Sequence, residues 1–163
     1  MTSSSVEPHY TSLVARLNRF PQGAPPSENL YNILKILLSP EEAELVAQLP
    51  IKPFTAEKAA RVWRMDLSKA RKVLDALAGR AVILDVEQDG ETTYVLPPPM
   101  AGFFEFSMMR IRDDVDQQAL AELYYQYCTV EDDFMEALIG EDDTELGRFW
   151  VHEPVLKTKI HAL

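Results

Sequence analysis

The chain has 163 residues, 47% of them hydrophobic and 26% charged, with a net charge of −10. That length supports one domain, or a small domain with a helical extension, and a core that needs no disulfide or metal. Its one cysteine, Cys128, excludes an intrachain disulfide or a cysteine cluster, and the acid excess opposes nucleic-acid binding driven by net charge.

Met1–Tyr10 is polar and short on positive charge, unlike a secretory signal. No apolar run reaches the ~18–20 residues that span a bilayer. Lys157–Leu163 matches no lipidation or retrieval signal. A lone cysteine suits a reducing compartment. The expectation is a cytoplasmic protein without membrane contact.

The first predicted helix covers His9–Phe20, where Tyr10, Leu13, Val14, Leu17 and Phe20 recur at helical spacing. Pro21–Pro26 breaks it. A second helix is predicted from Ser27 to Leu38, with Leu30, Ile33, Leu34, Leu37 and Leu38 on one stripe and Ser27 as N-cap. Ser39-Pro40-Glu41-Glu42 then opens a third. Ser39 caps, Pro40 suits the first helical position and Glu42 completes a capping box. Leu45, Val46 and Leu49 form its apolar face, and Pro50 and Pro53 end it.

Thr55 is placed to cap a short helix over residues 56–64, with Ala59, Ala60 and Trp63 inward. Asp66 is placed to cap the next, Leu67–Ala78, whose core face is Ala70, Val73, Leu74 and Leu77. Gly79 is expected to supply a left-handed exit. Two strands follow, Val82–Glu87 and Glu91–Leu96, joined by the hairpin signal Asp89-Gly90. Helix, turn, helix and hairpin in that order predict a winged helix-turn-helix. The fold class expected is mainly α with a small β-hairpin and flanking helices.

Pro97–Pro99 must run extended and marks a module boundary. Beyond it lies a Phe- and Met-rich run to Met109. Helices are predicted over Asp116–Cys128, striped by Leu120, Leu123, Tyr124 and Tyr127, and over Thr129–Ile139, striped by Phe134, Met135 and Leu138. Gly140 is the expected stop and Arg148–Val151 a short strand. The organisation is thus residues 1–26 as helix and linker, 27–97 as the winged-helix domain, and 98–163 as an acidic helical extension packed on it. Net charge follows these parts unevenly. Residues 1–50 carry −2, 51–97 carry +1 and 98–163 carry −9.

The run Leu96–Arg110, LPPPMAGFFEFSMMR, resembles a bacterial family of iron–sulfur proteins. So do Leu30–Leu37 and Leu123–Tyr127. The similarity covers roughly residues 28–156. Members of that family join an N-terminal winged-helix region to a ferredoxin-type half that binds [4Fe–4S] clusters. The resemblance implies that this chain corresponds to the N-terminal region. A [4Fe–4S] cluster takes four cysteine thiolates, so no ligand set carries over to these residues. Either the chain is the N-terminal piece of a longer protein that carries the clusters, or it is a relative that lost the redox half.

On the second helix of the helix-turn-helix, Lys69, Arg71 and Lys72 are candidate contacts to phosphates or guanine edges. Against this, Asp85, Glu87, Asp89 and Glu91 surround the hairpin tip, and no Lys or Arg lies between Arg80 and Arg110. A solvated face is the preferred reading of Lys69–Lys72. Residues 113–145 hold twelve Asp or Glu and no Lys or Arg. They form either a docking surface for a basic partner or a solvated helical face, and the second is preferred.

Phe103, Phe104, Phe106, Met108 and Met109 are the candidate partner surface, because an exposed Phe–Met patch marks an interface. The preferred alternative is that the run packs on the winged helix and ties the acidic helices to it. If the run is a strand, Phe104 and Phe106 share a face and Phe103 takes the other. Enzyme chemistry lacks support. His9, His152 and His161 form no spaced metal pair, there is no phosphate-binding Gly loop and no nucleophile elbow. Cys128 is expected to be a structural thiol. The function expected is a non-catalytic interaction or regulatory module. Its partner would be another protein, the downstream iron–sulfur half or a second copy, with no cofactor in this chain. The alternative is a DNA-binding transcriptional regulator.

Overall fold

The computed structural model describes residues 8–20 and 23–139. The strand expected at Arg148–Val151, the stop at Gly140, and His152 and His161 lie outside them. The described chain is mainly helical, with a small three-stranded antiparallel sheet. Among the described residues no helix is long and apolar enough to cross a membrane.

Helix α1 spans Pro8–Leu17 and buries Tyr10, Leu13, Val14 and Leu17 as the spacing predicts. It also buries Arg16, which the apolar stripe did not include. The guanidinium Nε donates to the Leu49 carbonyl at 2.7 Å and a terminal nitrogen donates to that of Pro50 at 2.5 Å. It lies 5.0 Å from the centre of the Phe20 ring. Arg16 thereby fastens α1 to the end of α3, Pro40–Ala47. Between them in sequence, α2 covers Glu28–Leu37, and Ser27 accepts from the Leu30 N–H at 3.1 Å. The α3 capping box is complete in both directions. Ser39 accepts from the Glu42 N–H at 3.3 Å, and Glu42 accepts from the Ser39 N–H at 3.0 Å.

Strand β1, Phe54–Thr55, leads into α4, Ala56–Trp63. The Trp63 indole donates to the Leu45 carbonyl at 2.8 Å and ties α4 to α3. Helix α5 spans Leu67–Gly79. Thr55 and Asp66 occupy the expected N-cap positions, but neither side chain makes a capping hydrogen bond. The exit of α5 also differs from expectation. Gly79 stays helical, and Ala81 takes the left-handed conformation at φ 57°. The Val82 N–H reaches the Leu77 carbonyl at 3.1 Å and the Ala81 N–H reaches that of Ala78 at 2.9 Å. This paired closure is a Schellman motif. Burial of Ala81, Val82 and Ile83 draws the chain inward there and outweighs the ~1–2 kcal/mol cost of a left-handed alanine.

The hairpin is β2, Leu84–Gln88, and β3, Glu91–Val95. Asp89 and Gly90 both have positive φ, 54° and 80°, as a type I′ turn requires. Val82 and Ile83, expected in the strand, belong to the buried approach to it. The hairpin is also not alone. β1 pairs antiparallel with β3, setting Phe54 opposite Tyr94, and the strand order is β1-β3-β2. Two residues are too short to show a period, so β1 was invisible in the hydrophobic pattern.

After Pro98, Pro99–Phe103 forms a π-helical turn that runs into α6, Phe104–Met109. The Phe-rich run is therefore helical, not a strand. Gly102 sits at φ 139°, where a Cβ would come within 2.6 Å of the Phe106 ring and 2.9 Å of Pro97. Helix α7 covers Gln117–Tyr125, with Asp116 accepting from the Ala119 N–H at 2.9 Å. Its continuation, Gln126–Val130, is a second π-helical turn, and α8 covers Asp132–Ile139. Thr129 and Val130, expected to begin the last helix, thus finish the previous run.

One hydrophobic cluster runs from Tyr10 in α1 to Phe134 in α8. Phe104 sits among four rings, with centroids 5.7 Å from Phe103, 5.2 Å from Tyr124, and 5.8 Å from both Tyr127 and Phe134. Such contacts add ~0.5–1.5 kcal/mol each beyond area burial. Tyr127 donates to the Pro25 carbonyl at 2.9 Å, and the Asn29 amide donates to Glu131 at 2.7 Å. These bonds join the acidic extension to the start of α2.

Candidate functional site

Helix α5 turns Ala70, Leu74 and Leu77 inward. Helical spacing therefore exposes Ser68, Lys69, Arg71, Lys72 and Asp75. Arg71 is brought to within 3.5 Å of Glu57 on α4, an exposed ion pair. The Thr55 hydroxyl, the Glu57 backbone N–H and the nearby arginines hold the Glu57 carboxyl below the usual carboxylate range. Asp75 accepts the Tyr94 hydroxyl at 2.7 Å. Burial, reinforced by the Asp75 carboxylate, pushes the Tyr94 phenol up to about 12.

Between α5 and the hairpin lies a cleft of about 530 Å³. Its charged lining is Glu57, Asp75, Asp85 and Glu91 against the single cation Arg71, with Gly90, Thr92 and Tyr94 completing the hairpin wall. A second cleft, about 510 Å³, lies along α5 and is lined by Leu67, Ser68, Arg71, Lys72 and Asp75. Lys69 is exposed and lines neither. Two unit charges 4 Å apart interact by ~1 kcal/mol in water and ~4 kcal/mol at the screening typical of a protein surface. An anion in the first cleft meets four carboxylates and one guanidinium already engaged by Glu57. The cleft favours cations.

The Phe–Met run is divided by its helical geometry. Phe103 and Phe104 are interior, at 0% and 5% exposure. They cannot be an exposed partner surface. Phe106 and Met108 are half-buried, and Met109 alone stands out, at 75%. Ile111, which sequence reasoning passed over, is more exposed still at 91%. Phe104 and Phe106 do not share a face, because a helical step puts Ser107, not Phe106, beside Phe103 and Phe104 in the interior. Ser107 is buried and lies 2.8 Å from the Tyr124 hydroxyl.

Cys128 is half-buried, and burial with the neighbouring Glu131 carboxylate pushes its thiol up. That makes it a poor nucleophile at neutral pH. His9 makes an exposed pair with Glu44 at 3.3 Å. Among the described residues no three His, Cys, Asp or Glu side chains are grouped to hold a metal ion. One thiol does not fit a [4Fe–4S] cluster, which takes four.

Tyr94 and Glu57 are the site residues that sequence reasoning missed. The alternation of β3 marks Tyr94 as inward-facing, but nothing local pairs it with Asp75, 19 positions away. No family model, curated protein or solved structure matches this chain. Its functional reading rests on the cleft, the charge pattern and the order of its elements.

Proposed function

We propose that this chain is a winged-helix interaction or regulatory module without catalytic activity, acting through proteins and not through DNA. The order β1, α4, α5, β2, β3, with β1 paired to β3, supports a winged helix. By resemblance it is the N-terminal part of a [4Fe–4S] electron-transfer protein. The cluster-binding half, supplied by a longer parent, is then its natural partner.

The observation that carries the protein-directed reading is the cleft between α5 and the hairpin. A DNA reader needs cations on both elements to neutralise phosphate. Here the hairpin contributes Asp85 and Glu91, and α5 contributes Asp75 beside Arg71. A mobility-shift series with genomic fragments at physiological salt tests it, and no specific duplex binding is expected. The second reading, a DNA-binding regulator, draws on the exposed Lys69, Arg71 and Lys72. Submicromolar, salt-sensitive binding that is lost in Lys69→Glu with Lys72→Glu would establish it instead.

A further inference from the structure

We infer that the outer face of α7, its π-helical turn and α8 docks a basic amphipathic segment of a partner protein. This rests on the interaction-module reading and adds the surface and the chemistry of the partner.

The inner side of these elements is fully employed. Tyr124, Tyr127 and Phe134 pack around Phe104. The outer side carries apolar side chains that the other described residues leave exposed. Tyr125 is 56% exposed, Val130 53% and Met135 38%. The hydrogen bonds of a π-helical turn join residues five apart, so Val130 comes round one turn above Tyr125. The Tyr127 and Phe134 rings, 4.9 Å apart, hold α8 against that turn.

Charge decides what covers this face. Glu122 lies three residues before Tyr125 and Asp132 three before Met135, helix neighbours on the same side; both are exposed, as is Glu136, and no Lys or Arg occurs from residue 113 to residue 139. An acidic partner would meet like charge, and a nucleic acid would meet it everywhere. A partner segment with apolar residues for Tyr125, Val130 and Met135, and with Lys or Arg beside them, satisfies both demands. Methionine and tyrosine suit such contacts, because one adapts in shape and the other supplies a rigid amphipathic ring.

The test uses the full chain and three labelled synthetic peptides, read by fluorescence anisotropy. One is a Lys/Leu amphipathic helix, one is oligolysine and one is a Glu/Leu helix. The Lys/Leu peptide should bind, oligolysine should bind at least about tenfold more weakly, and the Glu/Leu peptide should not bind. Tyr125→Ala with Met135→Ala should weaken Lys/Leu binding by about tenfold or more, the effect of losing a contact worth ~1.4 kcal/mol. Glu122→Gln with Asp132→Asn and Glu136→Gln should do the same. Both sets are surface changes and should leave the melting temperature unchanged. Equal binding of oligolysine, or no loss in either variant, overturns the inference. So does sedimentation showing self-association that the Tyr125→Ala, Met135→Ala variant abolishes, since the occupant would then be a second copy. A failed peptide experiment leaves the mobility-shift result untouched. DNA binding with peptide docking intact would remove the module reading and keep this surface.

Discussion

Tyr94 donates its hydroxyl to the Asp75 carboxylate at 2.7 Å, and this bond latches the central strand of the sheet to the outer face of α5. It also holds a carboxylate in the lining of the cleft. A hydrogen bond to a charged group contributes ~1.5–3 kcal/mol. Tyr94→Phe should therefore lower stability by about that amount in urea titration. Asp75→Ala should cost a similar amount, and the double variant should cost less than the sum of the two.

The same phenol fixes an alkaline limit. Its pKa rises from 10.0 unfolded to about 12 folded. A raised pKa contributes stability that is present below pH 10 and lost as pH climbs from 10 to about 12. Burial raises the Tyr124 and Tyr127 phenols as well, which adds to that loss. Tyr94→Phe should flatten part of the stability fall over this interval, and following unfolding at stepped pH measures it.

Phe104 lies at the centre of the aromatic group that joins α6 to α7 and α8. Phe104→Ala and Phe103→Ala should each cost ~3–5 kcal/mol, the usual range for a buried phenylalanine. Phe106→Ala should cost less, because Phe106 is only half-buried. Chemical denaturation of the three variants checks the order. Equal losses at all three would contradict the helical geometry of the run.

Two glycines should respond oppositely to alanine. Gly79 is helical, and a Cβ there meets nothing within 4 Å. Gly79→Ala should stabilise by ~0.4–1 kcal/mol. A left-handed Gly79 would make the same change destabilising. Gly102 sits at φ 139° with Phe106 and Pro97 against its missing Cβ, so Gly102→Ala should cost ~1–3 kcal/mol. Thermal melts distinguish the signs.

If carboxylates close the cleft to phosphate, reversing them should open it. Asp85→Lys with Glu91→Lys should raise non-specific duplex affinity. New phosphate contacts by both lysines would steepen the log–log salt dependence by about 2. Filter binding at stepped salt reads both quantities. No gain in affinity would mean that the cleft does not govern DNA exclusion.

Cys128 should react slowly with a thiol reagent at pH 8 in the native chain and rapidly after unfolding, because burial raises its pKa. Iron and sulfide assay after anaerobic reconstitution should find no cluster at one per chain. A cluster at one per dimer or larger assembly would require Cys128 from each copy.

Local chemistry determined much of this protein. The stripes of α1, α2 and α5, the Ser39–Glu42 capping box and the Asp89-Gly90 turn are short-range features. Spacing and cap chemistry specify them within a few residues, so they can be read from the chain. The acidic excess after residue 98 was equally plain, since charge is a property of composition.

Other features depended on contacts between distant segments. β1 exists because Phe54 finds Tyr94 across 40 positions of chain, and two residues carry no period of their own. Arg16 is buried where the Leu49 and Pro50 carbonyls accept from it, which no stripe on α1 can signal. Gly79 looked like a helix exit, but burial of Ala81 and Val82 moved the exit two residues on. The Phe–Met run reads from sequence as a segment packed on the winged helix in preference to an exposed patch, with a strand as one way to pack it. Only the aromatic group around Phe104 decided that it is a helix with Phe103 and Phe104 inside. Tertiary structure settled these points because their energies come from desolvation and pairing across the fold, which neighbouring residues do not encode.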